Sequence, residues 1–128
     1  MRIERLDHLV LTVADPDATA AFYARVLGME PVTFGEGRRA LRFGRSKINL
    51  QRAGHGYEPK AARPTPGSAD LCLVTTAPPD RVVAELRGHG VPIEAGPVER
   101  TGAEGPITSV YLRDPDLNLI EIAAYRTP

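Results

Sequence analysis

Two stretches, LDHLVLTV (residues 6–13) and ADLCLVT (residues 69–75), determine the fold that the sequence predicts. Each is a short and mostly apolar run, which favours a β-strand. Each run is interrupted by a polar residue near its start, which is His8 in the first and Asp70 in the second. The repeated pattern indicates two structural units of the same kind.

A helix is predicted after each of these strands. Residues 15–28 begin with Asp15 as a helix N-cap and end at Gly28, which suits a left-handed C-terminal cap. Residues 78–90 form the matching helix and end at Gly90, and the spacing from Gly28 to Gly90 equals that from His8 to Asp70. The residues expected to pack on a sheet are Ala18, Ala21, Phe22 and Val26 in the first helix, and Val82, Val83 and Leu86 in the second.

Three short strands are predicted after each helix. They are residues 31–34, 39–43 and 47–51 in the first half, and residues 92–98, 107–112 and 118–124 in the second. We therefore expect an α+β fold of two tandem βαβββ units, at about 3–52 and 68–125, joined by the loop 53–67. One helix cannot cover both faces of a sheet. The units are thus expected to form a shared curved mixed β-sheet cleft, with helices on the outer face, in a single domain of residues 1–128.

The separation between matching residues grows along the repeat. It is wider at the last strands, where Asn49 matches Glu121, than at the first strands, where His8 matches Asp70. The polar and glycine-rich segment 99–106 is expected to hold the extra residues as a loop. The connecting loop is expected to lie beside the cleft, where Tyr57 or Lys60 could reach a ligand, or else to be a plain linker.

Composition argues against several classes of protein. The 128 residues contain 16 Lys plus Arg and 16 Asp plus Glu, so no net basic charge attracts nucleic acid. No apolar run approaches the roughly 20 residues of a membrane span, and the first residues contain no signal-peptide core. Cys72 is the single cysteine, which excludes an internal disulfide. We therefore expect a soluble cytoplasmic protein that binds neither nucleic acid nor membranes.

Four polar residues lie within otherwise apolar strands: His8, Asn49, Asp70 and Glu121. Because successive strand residues point to opposite faces, the isoleucines that flank Glu121 face one way and its carboxylate faces the other. A carboxylate buried without a partner is costly, which favours a binding or catalytic role. The alternatives are a structural interior histidine, a structural amide at Asn49 and turn chemistry at Asp70.

The segments DHLVLTV, FYARVLGM and DPDLNLIEI, set in paired βαβββ units, resemble the vicinal oxygen chelate superfamily. That group includes glyoxalase I, fosfomycin resistance enzymes, extradiol dioxygenases and bleomycin resistance proteins, and the resemblance covers nearly the whole chain. It implies metal-ligand positions on the first and last strands of each unit, here His8, Asn49, Asp70 and Glu121. Of these, His8, Asp70 and Glu121 are the expected ligands, and Glu121 is the expected catalytic base, with Asp70 as the alternative base. Asp70 stands where many members have a second histidine. The implied cofactor is a divalent metal ion, one of Mn, Fe, Mg, Ni or Zn.

The same resemblance suggests a small-molecule ligand and a homodimer. The predicted function is a metal-dependent enzyme of the lyase, isomerase or dioxygenase type acting on a small oxygen-chelating substrate. The alternative is a metal-free binding protein of the bleomycin-resistance type that sequesters a drug or metabolite. The residues expected to contact the substrate are Asn49, Gln51, Arg42, Tyr111 and Arg113.

Three further residues are expected to have no catalytic role. Cys72 shares a strand face with Asp70, but no histidine is placed beside it to activate the thiol. His55 lies in the connecting loop and His89 near the end of a helix, and both are expected on the surface.

Overall fold

The computed structural model describes residues 1–126 and contains two compact units, Met1–Ser68 and the part of the chain that begins at Ala69. The elements of the first unit are β1 (His8–Val13), α1 (Pro16–Leu27), β2 (Glu30–Phe34), β3 (Arg38–Phe43) and β4 (Ser46–Arg52). The elements of the second unit are β5 (Asp70–Val74), α2 (Pro79–Gly88), β6 (Ala95–Gly102), β7 (Gly105–Arg113) and β8 (Leu119–Tyr125). The predicted α+β fold of two βαβββ units is confirmed.

Each unit contains its own four-stranded mixed sheet. The strand orders are β1-β4-β3-β2 and β5-β8-β7-β6, with the first and last strands parallel and the other neighbours antiparallel. Val10 pairs with Asn49 in the first sheet, and Cys72 pairs with Glu121 in the second. Val10 and Cys72 have the same place in the repeat, as do Asn49 and Glu121, so the register of the repeat is confirmed. The first and last strands of each unit, which carry the predicted site residues, are thereby direct neighbours.

Local capping sets the bounds of α1. The Asp15 carboxylate accepts hydrogen bonds from the backbone N–H groups of Asp17 and Ala18, at 3.0 and 3.2 Å. Gly28 has a φ of 67°, and its N–H donates to the carbonyl of Ala24 at 3.2 Å. Both predicted caps are therefore present. No helix within residues 1–126 is long and apolar enough to cross a membrane.

The predicted packing face of α1 is confirmed at Val26 and wrong at Ala18 and Ala21, while Phe22 is half-buried. The buried residues of this helix are Thr19, Ala20, Tyr23 and Val26. Ala18 and Ala21 are exposed instead, because the helix turns to bury the whole side chain of Tyr23, which covers far more apolar area than two methyl groups. In α2 the prediction is confirmed for Val82 and Leu86, which are buried.

The extra residues of the second unit lengthen a hairpin and do not form a loop. The strand predicted at 92–98 is observed as β6 (Ala95–Gly102), and most of the predicted loop 99–106 belongs to β6 and β7. The two strands are joined by a turn of two residues, and Gly102 pairs with Gly105. The segment has no apolar period because its side chains are mostly exposed on both faces, so composition alone favoured a loop.

Candidate functional site

The helix covers one face of the first sheet. Arg39 pairs with Leu50 across β3 and β4, so their side chains share a face. Arg39 forms an ion pair with Asp17 of α1, which places the helix on that face. His8 and Gln51 alternate to the opposite side, which we call the open face of the sheet. The predicted orientation of His8 is therefore confirmed.

The second sheet has the same division. Ile120 and Ile122 are buried on the apolar side, and α2 packs against β6, β7 and β8. Glu121 alternates to the open face, which it shares with its strand partners Cys72 and Tyr111. Asp70 lies on this face as well, two residues before Cys72 on β5. Asp70 and Glu121 thus belong to the same face of the same sheet.

One hydrogen-bond donor holds the Glu121 carboxylate. Ser109 is fully buried, and its Oγ donates to Oε2 of Glu121 at 2.5 Å. Cys72 lies beside Glu121 as its direct partner across β5 and β8. Within residues 1–126, no lysine, arginine or histidine forms an ion pair with Glu121. A half-buried carboxylate is therefore positioned by the Ser109 hydroxyl without an ion pair to a positive charge among these residues.

The thiol of Cys72 is a poor nucleophile in this setting. Partial burial, and then the negative charge and hydrogen bond of Glu121, raise its pKa to about 11. The thiol is consequently protonated at neutral pH, and the thiolate is the reactive form. This agrees with the prediction that Cys72 is not a catalytic nucleophile.

His8 is oriented by the residue before it. Its Nδ1 lies 2.8 Å from Oδ2 of Asp7, and both side chains are exposed. This hydrogen bond lowers the pKa of Asp7, with a further contribution from Arg5, so Asp7 is ionised at neutral pH. An ionised carboxylate only accepts hydrogen bonds, so Nδ1 of His8 carries a proton and Nε2 is the ring nitrogen that faces away from this contact. Metal-binding histidines are commonly held in this way.

The donor chemistry of these residues suits a divalent ion. One imidazole nitrogen and the carboxylates of Asp70 and Glu121 are ligands that Mn²⁺, Fe²⁺ and Zn²⁺ accept. Across residues 1–126, however, no three side chains of His, Cys, Asp or Glu are grouped closely enough to hold one metal ion. Metal binding by His8, Asp70 and Glu121 stays a prediction.

The two predicted amides of β4 differ in their contacts. Asn49 is buried on the open face, and its Oδ1 has no hydrogen-bond partner within residues 1–126. Gln51 donates from Nε2 to Oγ1 of Thr12 at 3.2 Å, and its Oε1 accepts from the backbone N–H of Tyr57 at 3.3 Å. Gln51 thereby fastens the connecting segment to the open face of the first unit. Lys60, the second predicted contact of that segment, pairs with Glu58 at 3.3 Å.

The two arginines predicted to hold an anionic substrate are already paired. Arg42 lies 3.9 Å from Glu30, which is its direct partner on β2. Arg113 lies 3.2 Å from Glu94 and also donates to the carbonyl of Leu117 at 3.3 Å. Their charges are balanced within their own units, which reduces their attraction for a further anion.

Tyr111 is the predicted substrate contact that lies beside Glu121. The two residues pair directly across β7 and β8. The hydroxyl of Tyr111 accepts a hydrogen bond from Nε of Arg100 at 3.1 Å, so Arg100 orients the ring. His55 and His89 are exposed, as predicted.

Ser109 and Lys47 each lie beside a predicted site residue, and the sequence reasoning gave neither of them a role. Ser109 supports Glu121, and Lys47 pairs with His8 across β1 and β4. The signal that could have found both is strand alternation, since Lys47 lies two residues before Asn49 and Ser109 two residues before Tyr111.

Comparisons with known proteins match the whole architecture. A family model described as the Glyoxalase/Bleomycin resistance protein/Dioxygenase superfamily matches residues 5–122. The chain is 58% identical over 125 residues to Virulence protein STM3117 of Salmonella typhimurium, covering 98% of this chain and 87% of that protein. The crystal structure of that protein matches with a TM-score of 0.97 at 57% identity, over 98% of this chain and 100% of the other. Glyoxalase domain-containing protein RDO1 of Mycosarcoma maydis is 52% identical over 126 residues, which are 98% of this chain and 71% of that protein.

Proposed function

We propose that this chain, which belongs to the Glyoxalase/Bleomycin resistance protein/Dioxygenase superfamily, is a divalent-metal-dependent enzyme. The proposed substrate is a small molecule with two neighbouring oxygen atoms. The observation that carries the proposal is Glu121. Its carboxylate lies on the open face of the second sheet, with a hydrogen bond from Ser109 and no cationic side chain in an ion pair with it among residues 1–126. A bound cation would supply the missing positive charge.

The proposed roles follow from the donors that each residue offers. His8 offers Nε2, because Asp7 holds Nδ1, and Asp70 and Glu121 offer carboxylate oxygens. When bound, a divalent ion polarises the substrate oxygens and stabilises negative charge that develops on them. Glu121 then accepts a proton from the substrate, as a lyase or isomerase reaction requires, while Ser109 keeps the carboxylate in place.

Metal content tests this proposal. Protein purified without added metal is analysed by mass spectrometry for Mn, Fe, Ni and Zn, as wild type and as the variants His8→Ala and Glu121→Gln. His55→Ala is the matched control, since His55 is an exposed histidine whose imidazole hydrogen-bonds the carbonyl of Ala53. We expect the wild type and His55→Ala to retain one metal and the two site variants to lose it. Equal metal content in all four proteins would exclude the site.

A metal-free binding protein is the second candidate. The observation that favours it is that no three potential ligand side chains within residues 1–126 are grouped around one point. In that case the open faces bind a drug or metabolite through hydrogen bonds and apolar contacts alone. Ligand binding that is unchanged by a chelator, with no turnover after any metal is restored, would favour this candidate over the enzyme.

We also propose that the chain forms a homodimer, on the basis of its family resemblance. Size-exclusion chromatography with light scattering at micromolar concentration is the test. A mass near twice the 13.8 kDa of one chain is expected, and a mass of one chain would exclude the dimer.

A further inference from the structure

Four side chains form a cation–aromatic cluster on the open face of the first unit: Phe34, Arg38, Lys47 and Tyr57. Nζ of Lys47 lies 3.8 Å from the centroid of the Phe34 ring, and Cζ of Arg38 lies 5.0 Å from the same centroid. The guanidinium carbon of Arg38 is also 4.4 Å from the centroid of the Tyr57 ring. All three distances fall within the range of cation–π contacts. Two positive charges therefore gather around one aromatic ring.

Three separate parts of the chain supply this cluster. Phe34 and Arg38 pair at the end of the β2–β3 hairpin, and Lys47 lies on β4. Because Ala40 between them is small, the side chain of Lys47 can reach across β3 to Phe34. The hydrogen bond from the backbone of Tyr57 to Gln51 brings the fourth member onto the same face.

The charges of this cluster are not balanced by carboxylates. The neighbouring Arg39 and Arg42 form ion pairs with Asp17 and Glu30. Within residues 1–126, neither cation of the cluster lies in an ion pair with an acidic side chain. The charge of Lys47 lowers the pKa of the Asp7 carboxyl less than the His8 hydrogen bond and the charge of Arg5 do. Two like charges held near one ring repel each other, and a bound anion would relieve that repulsion.

We infer that this cluster binds a small organic carboxylate with a flat apolar part. The guanidinium of Arg38 and the ammonium of Lys47 donate charge-assisted hydrogen bonds to the carboxylate. Tyr57 is 48% exposed, so ring surface remains open to the flat part of the ligand. The site goes beyond the proposed function and needs no metal. Its failure would leave the proposed metal enzyme untouched, since the cluster shares no residue with the proposed metal ligands.

Benzoate is the probe, and calorimetric titration of chelator-treated protein is the measurement. Benzamide has nearly the same shape without the charge, so it is the control ligand. We expect benzoate to bind at least about tenfold more tightly than benzamide, because charged hydrogen bonds are stronger than neutral ones. Equal affinities for the two ligands, or no detectable benzoate binding, would overturn the inference.

Variants locate the binding to the cluster. Lys47→Met and Arg38→Gln each remove a positive charge and keep a side chain of similar length, and each is expected to lower benzoate affinity at least about tenfold. Arg45→Gln is the matched control, since Arg45 lies in the β3–β4 turn and forms no ion pair with any of residues 1–126. Unchanged affinity in both cluster variants, with thermal unfolding like that of the wild type, would overturn the inference. Unchanged affinity in Tyr57→Ala would overturn the aromatic contact.

Discussion

Glu121 and Cys72 influence each other at the scale of single residues. Partial burial, and then Glu121, raise the pKa of the Cys72 thiol to about 11 from its ordinary 9.0. The thiolate fraction at pH 8 is therefore small. Glu121→Gln removes the negative charge, so the pKa of the thiol should fall and the reactive thiolate should become more abundant.

The rate of iodoacetamide alkylation as a function of pH measures this change. The rate for Glu121→Gln is expected to rise at a lower pH than the rate for the wild type. Glu104→Gln is the matched control, because its carboxylate is exposed and lies in the β6–β7 turn. Identical profiles for the wild type and Glu121→Gln would contradict the contact between the carboxylate and the thiol.

Asp7 is placed to orient His8, the proposed metal ligand. Its carboxylate holds Nδ1 of His8 and also lies 3.4 Å from Arg5. Asp7→Asn is expected to lower metal affinity about tenfold or more, because partners behind metal ligands commonly contribute that much. Arg5→Gln is the control, since it leaves the contact with His8 in place. Calorimetric titration with Mn²⁺ gives the affinities, and wild-type affinity in Asp7→Asn would contradict the orienting role.

Some residues of the site follow from sequence and others need the register of strands. Alternation alone places His8 and Glu121 away from the helices, because Leu9 and the isoleucines on either side of Glu121 point the other way. Ser109 comes beside Glu121 only once β7 is aligned with β8. The ion pairs of Arg42 and Arg113 depend on partners across neighbouring strands, so the sequence could not show that their charges are balanced.

At the scale of elements, β6 depends on one glycine. Gly96 lies where the pairing of β6 with β7 shifts between Ala95 and Val98, and its φ is 105°. A Cβ at this position would lie 2.4 Å from the backbone oxygen of Ser109. Neither β6 nor β7 can accommodate so short a contact without moving. Gly96→Ala should therefore destabilise the protein by at least about 2 kcal/mol.

Urea unfolding measures that loss. Gly88→Ala is the matched control, because a Cβ on Gly88 at the end of α2 would meet no atom within 4 Å. The control is expected to unfold close to the wild type. An equal midpoint for Gly96→Ala and the wild type would show that β6 and β7 do not approach each other this closely.

An element can be predicted from sequence when the residues that set its ends lie close together in the chain. The limits of α1 are set by Asp15 and Gly28, which act within one turn of the chain and can be recognised from sequence. The hairpin of β6 and β7 is set by pairing between strands, and its polar residues carry no periodic signal. The burial of Ala18 and Ala21 on α1 was predicted wrongly for a related reason. Tertiary packing, which the helix sequence alone does not show, decides that Tyr23 is buried instead.

At the scale of the whole molecule, the two units repeat one backbone plan with different chemistry. The pairing of Val10 with Asn49 recurs as that of Cys72 with Glu121. The open face of the first unit carries the cations of the cation–aromatic cluster, whereas that of the second carries the carboxylates of Asp70 and Glu121. The repeat could be predicted because apolar spacing specifies the backbone. The ligand of each face could not be predicted, because ligand binding depends on which charges remain unpaired after folding.

Metal binding by His8 and Glu121 is tested most directly by calorimetric titration of metal-free protein with Mn²⁺. The wild type is expected to bind one ion per chain, and Glu121→Gln, which keeps the shape of the side chain, is expected to bind at least about tenfold more weakly. His8→Ala should lose binding to a similar or greater extent, and the thermal unfolding of both variants should show that they are folded. Equal and weak affinity in the wild type and Glu121→Gln would contradict the metal site and leave the open faces as metal-free binding surfaces.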